Sequence, residues 1–160
     1  MVGGDEAVFT QCQPVLAAMG KRITYIGPHG HGQITKLCNQ VAGVLTLEAV
    51  AEAVVLARKA GVDVQRVITA LSGGAADSWM LRNQAPRMLA RDFAPGFFIH
   101  LQQKDLRLVL ELAGTLSAPV PGTALVHQLF SAVEASGGGA LGTQALILAL
   151  ERLAGLEREP

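Results

Sequence analysis

Apolar residues recur at helical spacing through most of this chain, and one short stretch near its start breaks the pattern. Phe9, Val15, Leu16 and Met19 are spaced for a helix over residues 6–19, which Asp5 can cap and Gly20 can end. The next run, Lys21-Arg22-Ile23-Thr24-Tyr25-Ile26, carries β-branched and aromatic residues before Gly27-Pro28 and predicts one short strand. A single strand leaves both edges unpaired, so this opening segment calls for a pairing partner or for further chain.

From His31 the helical period takes over. Residues 33–59 hold no proline and one glycine, Gly43, while Leu37, Val41, Val44, Leu45, Ala49, Ala53 and Leu56 keep a helical face. That predicts one helix of roughly 27 residues, about 40 Å long. Gly61 stops it, and Asp63 can cap a short helix over 64–71. Gly73-Gly74 breaks the chain again, and Asp77 or Ser78 can start a helix around Trp79, Met80, Leu81 and Met88. The loop Phe93-Ala-Pro-Gly-Phe-Phe98 leads into a helix over 101–114, and Pro119 and Pro121 bound a connector. Helices over 122–136 and 141–153 complete the pattern, the last with Leu146, Leu150 and Leu153 on one side. The fold class expected is mostly all-α, preceded by one helix and one strand.

Composition changes this picture in three ways. Only 4% of the residues are aromatic while half are hydrophobic, so small aliphatic side chains must fill the core. Thirteen basic residues balance thirteen acidic ones, which argues against a polybasic nucleic-acid binder. Low charge with much apolar surface also suggests that a partner covers part of the chain. Glu48, Glu52, Gln144 and glycines interrupt the apolar runs, so no membrane span is expected. No basic-then-apolar leader opens the sequence, and Cys12 and Cys38 make neither a disulfide scaffold nor a redox pair. A reducing cytoplasm is the setting expected, with Cys38 a buried small hydrophobe and Trp79 in a core or interface. His29, His31 and Cys38 do not match zinc spacing, so no metal site is expected. His127 is expected on a helix surface or interface.

Four groups of residues can carry chemistry. Gly27-Pro-His-Gly30-His-Gly32 lies between the predicted strand and the long helix, where glycines permit close approach and a helix start offers backbone donors. Its glycines fall at one, four and six, whereas a dinucleotide fingerprint needs one, three and six. It reads either as a plain strand-to-helix turn or as a ligand-lining turn of another kind. Lys36, Asn39, Gln40 and Gly43 share one helical face, since their offsets are three, four and seven. A lysine there can hold a carboxylate or donate a proton to a carbonyl oxygen as hydride arrives, and an adjacent carboxamide can orient the same oxygen. The same residues also fit a solvated stripe with a packing glycine. Lys104-Asp105 can serve a substrate or cofactor phosphate, or be a surface ion pair. Ser72-Gly73-Gly74 with Ser78 can bind a small acid, or simply turn and cap the chain.

In this order and spacing, these residues resemble the carboxy-terminal part of the β-hydroxyacid dehydrogenases, the family of 3-hydroxyisobutyrate dehydrogenase and 2-hydroxy-3-oxopropionate (tartronate semialdehyde) reductase. The resemblance implies a helical domain like the carboxy-terminal one of 6-phosphogluconate dehydrogenase. Residues 1–27 would be the end of an NAD(P)-binding Rossmann domain, and 28–160 a substrate-binding and dimerisation domain with its interdomain helix about 33–59. Gly27 to Lys36 resembles the family's catalytic segment, which implies Lys36 as general acid/base with Asn39 beside it. Asn39, Gln40, Gly32 and Ser78 would contact substrate. Many members carry asparagine where this chain has Gln40, and Asn-Gln favours the reductase branch. Phe93 to Asp105 resembles a motif whose lysine approaches cofactor, which implies Lys104 and Phe98 as NAD or NADP contacts. His100 and His31 depart from that pattern. The family's amino-terminal glycine loop and its Ser-Gly-Gly substrate loop should lie before this chain begins. The expectation is therefore a fragment inactive alone, which reduces a small semialdehyde acid when a Rossmann domain is supplied. The alternative is a non-catalytic helical dimerisation module.

Overall fold

The computed structural model describes residues 1–156. Its chain divides into two compact units, Met1–Gln40 and the residues from Val41 onward. The first unit begins with strand β1 (Val2–Gly3), helix α1 (Glu6–Met19) and strand β2 (Tyr25–Gly27). It ends on the opening turns of helix α2 (His31–Lys59). The second unit holds the rest of α2, then α3 (Val64–Leu71), α4 (Trp79–Leu89), α5 (Ile99–Leu116) and α6 (Pro121–Ala135). Two 3-10 turns, Gly138–Ala140 and Thr143–Leu146, lead to α7 (Ile147–Leu153).

The single strand expected near the start has a partner. β1 and β2 pair in parallel, Val2 with Tyr25 and Gly3 with Gly27, with α1 as the connection between them. Two residues of strand carry no periodicity, which is why β1 is invisible in the sequence. The strand predicted over 21–26 narrows to Tyr25–Gly27. Asp5 caps α1 by accepting from Val8 N at 3.0 Å. The Tyr25 ring stacks on Phe9, and its hydroxyl donates to Gly4 O. No residue of α1 is buried, and its apolar positions Val15 and Met19 are exposed.

In the second unit the periodic positions close a core. Leu47, Met88, Ile99, Leu106, Phe130, Leu146 and Ile147 are almost fully buried, each contributing about 1.5–3 kcal/mol of transfer free energy. The predicted caps form: Asp63 accepts from Arg66 N, and Ser78 accepts from Leu81 N. Trp79, expected in a core or an interface, is not in the core of this chain: it is 59% exposed, the first residue of α4 after the Ser78 cap. Leu153 is exposed as well, whereas Leu146 on the same predicted face is buried. The reason lies in the backbone. The segment expected as one helix over 141–153 starts late, because Leu141 and Gly142 are extended and bridge to the segment before α5. Gly142 N donates to Phe93 O, Thr143 N donates to Phe97 O, and Leu141 O accepts from Ile99 N. Gln144 Nε2 then donates to Asp92 O and Ala94 O and ties the same loop down.

By length and hydropathy α2 could cross a membrane, contrary to the sequence expectation, since Glu48 and Glu52 interrupt it less than their charge suggests. Within the second unit its residues Val44, Leu47, Val50, Ala51, Val54 and Ala57 are buried in the core. That burial accounts for its apolar character.

Candidate functional site

The first unit brings a turn, a strand and a helix start together. Gly27 and Gly30 hold positive φ, +136° and +86°, which side chains disfavour. His31 N donates to Pro28 O and Ile34 N to Gly30 O, so α2 begins directly on the turn. Gly3 and Gly32 meet backbone to backbone. A Cβ on Gly32 would lie 3.0 Å from Gly3 N and 3.2 Å from Met1 O, and one on Gly3 would lie 2.7 Å from Gly32 N. These two glycines therefore set how closely strand and helix approach.

Beside that contact is an open depression of about 490 Å3, lined by Met1, Val2, Gly3, Gly30, Gly32, Gln33 and Lys36. Lys36 is half-buried one turn into α2. Asn39 and Gln40 follow on the next turn, Asn39 exposed and Gln40 only 8% exposed. Asn39 Nδ2 makes a long 3.5 Å contact to Gln40 Oε1. An ammonium followed by two carboxamides near the positive end of a helix can hold and polarise the oxygen of a small ligand. Of the predicted substrate residues, Gly32, Asn39 and Gln40 thus share the first turns of α2 with Lys36. Gly32 takes part through its backbone. Cys38, expected to be buried, is exposed, because it falls off the apolar face of this helix.

The turn does not suit a dinucleotide diphosphate. The space that glycine leaves at Gly27 is filled by the His31 imidazole, with Nδ1 2.9 Å from the Cβ position. The required one-three-six spacing does occur later, at Gly137-Gly138-Gly139-Ala140-Leu141-Gly142. There it follows a helix rather than a strand. A Cβ on Gly142, its third glycine, would meet the Gln144 carboxamide and lie 2.9 Å from Ala94 O, so that glycine packs rather than cradles.

The remaining predicted residues belong to the second unit. Ser78 is half-buried and its hydroxyl is engaged as the α4 cap. Phe98 precedes α5, is 37% exposed and stacks on His100. Lys104 lies on the second turn of α5, and its ammonium pairs with the buried Asp105 carboxylate at 2.8 Å. Gly43 receives Met80 Cε at 3.7 Å from its Cβ position, which is the packing role open to it in the sequence.

Several polar features lay outside the sequence reading. Gln33, which lines the depression with Lys36, was hidden because a glutamine in a first helical turn looks merely solvated. His127 is no plain surface residue: its Nδ1 donates to Gln103 Oε1 at 2.6 Å, and Gln103 Nε2 donates to Ser131 Oγ at 2.9 Å. Burial, helped by a shared hydrogen bond with Glu52 and its like charge, pushes the Glu48 carboxyl up to about 7. A larger opening of about 1600 Å3 is lined by Arg58, Arg91, Glu151 and Arg152. Buried Glu151 accepts from both Arg58 and Arg91, and Arg152 donates to Ser136 Oγ. Arg58 and Arg152 also lie in the last turns of α2 and α7, where a cation is favourable.

Residues 30–150 match the family described as NAD-binding of NADP-dependent 3-hydroxyisobutyrate dehydrogenase. The chain is 47% identical to 2-hydroxy-3-oxopropionate reductase of Escherichia coli K12, over 96% of this chain and 53% of that protein. A 3-hydroxyisobutyrate dehydrogenase from Mycobacterium tuberculosis, solved with L-serine, superposes with a TM-score of 0.85 at 31% identity. The match covers 94% of this chain and 54% of that one. A Salmonella typhimurium 3-hydroxyisobutyrate dehydrogenase superposes at 0.84 with 29% identity, covering 91% and 52%. The chain spans about half the length of the curated relatives it matches. Its helical fold is that of the solved relatives, and the chain belongs to the 3-hydroxyisobutyrate dehydrogenase family of NAD(P)-dependent oxidoreductases.

Proposed function

We propose that this chain is the substrate-handling half of an NAD(P)-dependent reductase of small semialdehyde acids. Lys36 is its general acid/base. The observation that carries the reading is Lys36 in an open depression at the start of α2, with Asn39 and Gln40 one turn on. In the reductive direction the Lys36 ammonium donates a proton to the carbonyl oxygen of the substrate. In reverse its amine takes the proton from the hydroxyl. Asn39 and Gln40 orient that oxygen, and Ser78 contributes to substrate contact. A bound NAD or NADP would supply or accept the hydride. Lys104 and Phe98 are the residues here that would meet it, while its diphosphate needs a cradle that the described residues do not form.

The substrates that fit are tartronate semialdehyde, as the 47% identity to an E. coli 2-hydroxy-3-oxopropionate reductase favours, or methylmalonate semialdehyde. L-serine in the M. tuberculosis relative is a 3-hydroxy acid of the same size class. The chain alone is inactive on this reading, and it assembles as a homodimer through its helical part. The test joins it to the nucleotide-binding half of the E. coli reductase and follows NADH or NADPH oxidation with tartronate semialdehyde. Turnover lost on Lys36→Ala supports the reading. Assembly without turnover points instead to a non-catalytic dimerisation module.

A further inference from the structure

We propose that Gln33 is a specificity-determining residue of this site. Its carboxamide favours a hydroxyl over a methyl on the carbon between the substrate's carboxylate and its reacting carbonyl. The inference deepens the reductase reading and rests on it. Gln33 and Lys36 line the same depression, and an offset of three places them side by side on α2. The other lining residues with side chains, Met1 and Val2, are apolar, and Gly3, Gly30 and Gly32 offer only backbone. Gln33 is exposed, and among the described residues nothing hydrogen-bonds its carboxamide. Its carboxamide is therefore available to a ligand seated in that depression.

The chemistry of the group narrows what it recognises. A carboxylate is served best by a cation, and Lys36 already supplies a cation for the reacting oxygen. A neutral carboxamide both donates and accepts, as a hydroxyl does. The two candidate substrates share the carboxylate and the aldehyde, and differ only in hydroxyl against methyl on the intervening carbon. A methyl group in the same place takes no hydrogen bond from Gln33, so the carboxamide aids the hydroxyl-bearing substrate and leaves the methyl-bearing one unaided.

The experiment compares kcat/KM for tartronate semialdehyde and methylmalonate semialdehyde in the joined enzyme, with Gln33 intact and as Gln33→Ala and Gln33→Leu. The expected result is about a tenfold fall for the hydroxyl-bearing substrate in both variants, with the methyl-bearing one changed by less than about twofold. An unchanged ratio, or equal losses on both substrates, overturns the assignment of Gln33 while the reductase reading stands. Absence of turnover in the unaltered joined enzyme overturns both.

Discussion

Replacing Gly32 by alanine sets two opposed effects against each other, and the distances decide between them. Alanine in a helix gains up to about 1 kcal/mol over glycine. At this position, however, the new Cβ would lie 3.0 Å from Gly3 N, 3.2 Å from Met1 O and 3.4 Å from Val2 C. Ordinary contacts begin at about 3.5 Å, so the strand must retreat by roughly half an ångström. These are backbone atoms that cannot rotate away. β1 is also held by Val2 N donating to Thr24 O and Gly4 N donating to Gly27 O, each at 2.9 Å. Overpacking of this kind costs about 1–3 kcal/mol, which outweighs the helical gain and leaves a net loss of about 1 kcal/mol. Urea unfolding followed by circular dichroism should show the midpoint lowered by about half a molar, at a slope of about 2 kcal/mol/M. In the joined enzyme the shift displaces the rim of the depression that Lys36 lines, so kcat/KM should fall about tenfold. Gly3→Ala should be worse, because its Cβ would meet Gly32 N and Pro28 O at 2.7 and 2.8 Å. A Gly32→Ala chain that is more stable by about 1 kcal/mol, with turnover unchanged, would refute the close approach of strand and helix.

Other consequences follow from the second unit. Glu151→Gln keeps the shape of a buried side chain but removes the charge that Arg58 and Arg91 share. A loss of about 2–4 kcal/mol in urea unfolding is expected, and a loss under about 0.5 kcal/mol would mean that the pair behaves like a surface ion pair. Glu48, with its carboxyl raised to about 7, keeps in the folded state a proton that the unfolded chain releases near 4.5. Stability should therefore fall as pH rises from about 4.5 to about 7 and level off above that. Glu48→Gln should flatten this slope in thermal melts across the same pH range, and an unaltered slope would count against it.

Much of the architecture was legible because its signals are local. The cap residues Asp5, Asp63 and Ser78 and the glycine break at Gly61 mark helix ends by their own chemistry, and α1 and α3 fall on the predicted residues. The stripe of Lys36, Asn39 and Gln40 was legible for the same reason, since one helix fixes its spacing. What escaped depends on partners distant in sequence. β1 exists only because Val2 pairs with Tyr25, and Leu141 and Gly142 are extended rather than helical where they pair with the segment 93–99. Gln33 carries no periodic or compositional mark, and its place beside Lys36 emerges only when β1 closes one side of the depression. Glu151, one acid among several in the sequence, becomes distinctive only when α2 and the end of α4 bring Arg58 and Arg91 to it.

Lys36 is the group on which the proposed chemistry depends. The most direct measurement is kcat/KM for tartronate semialdehyde in the joined enzyme, with and without Lys36→Ala. A loss of about 10²–10⁴-fold, with circular dichroism and assembly unchanged, is the predicted result. Turnover within about fivefold of the unaltered enzyme would contradict the assignment of Lys36 as the group that moves the proton.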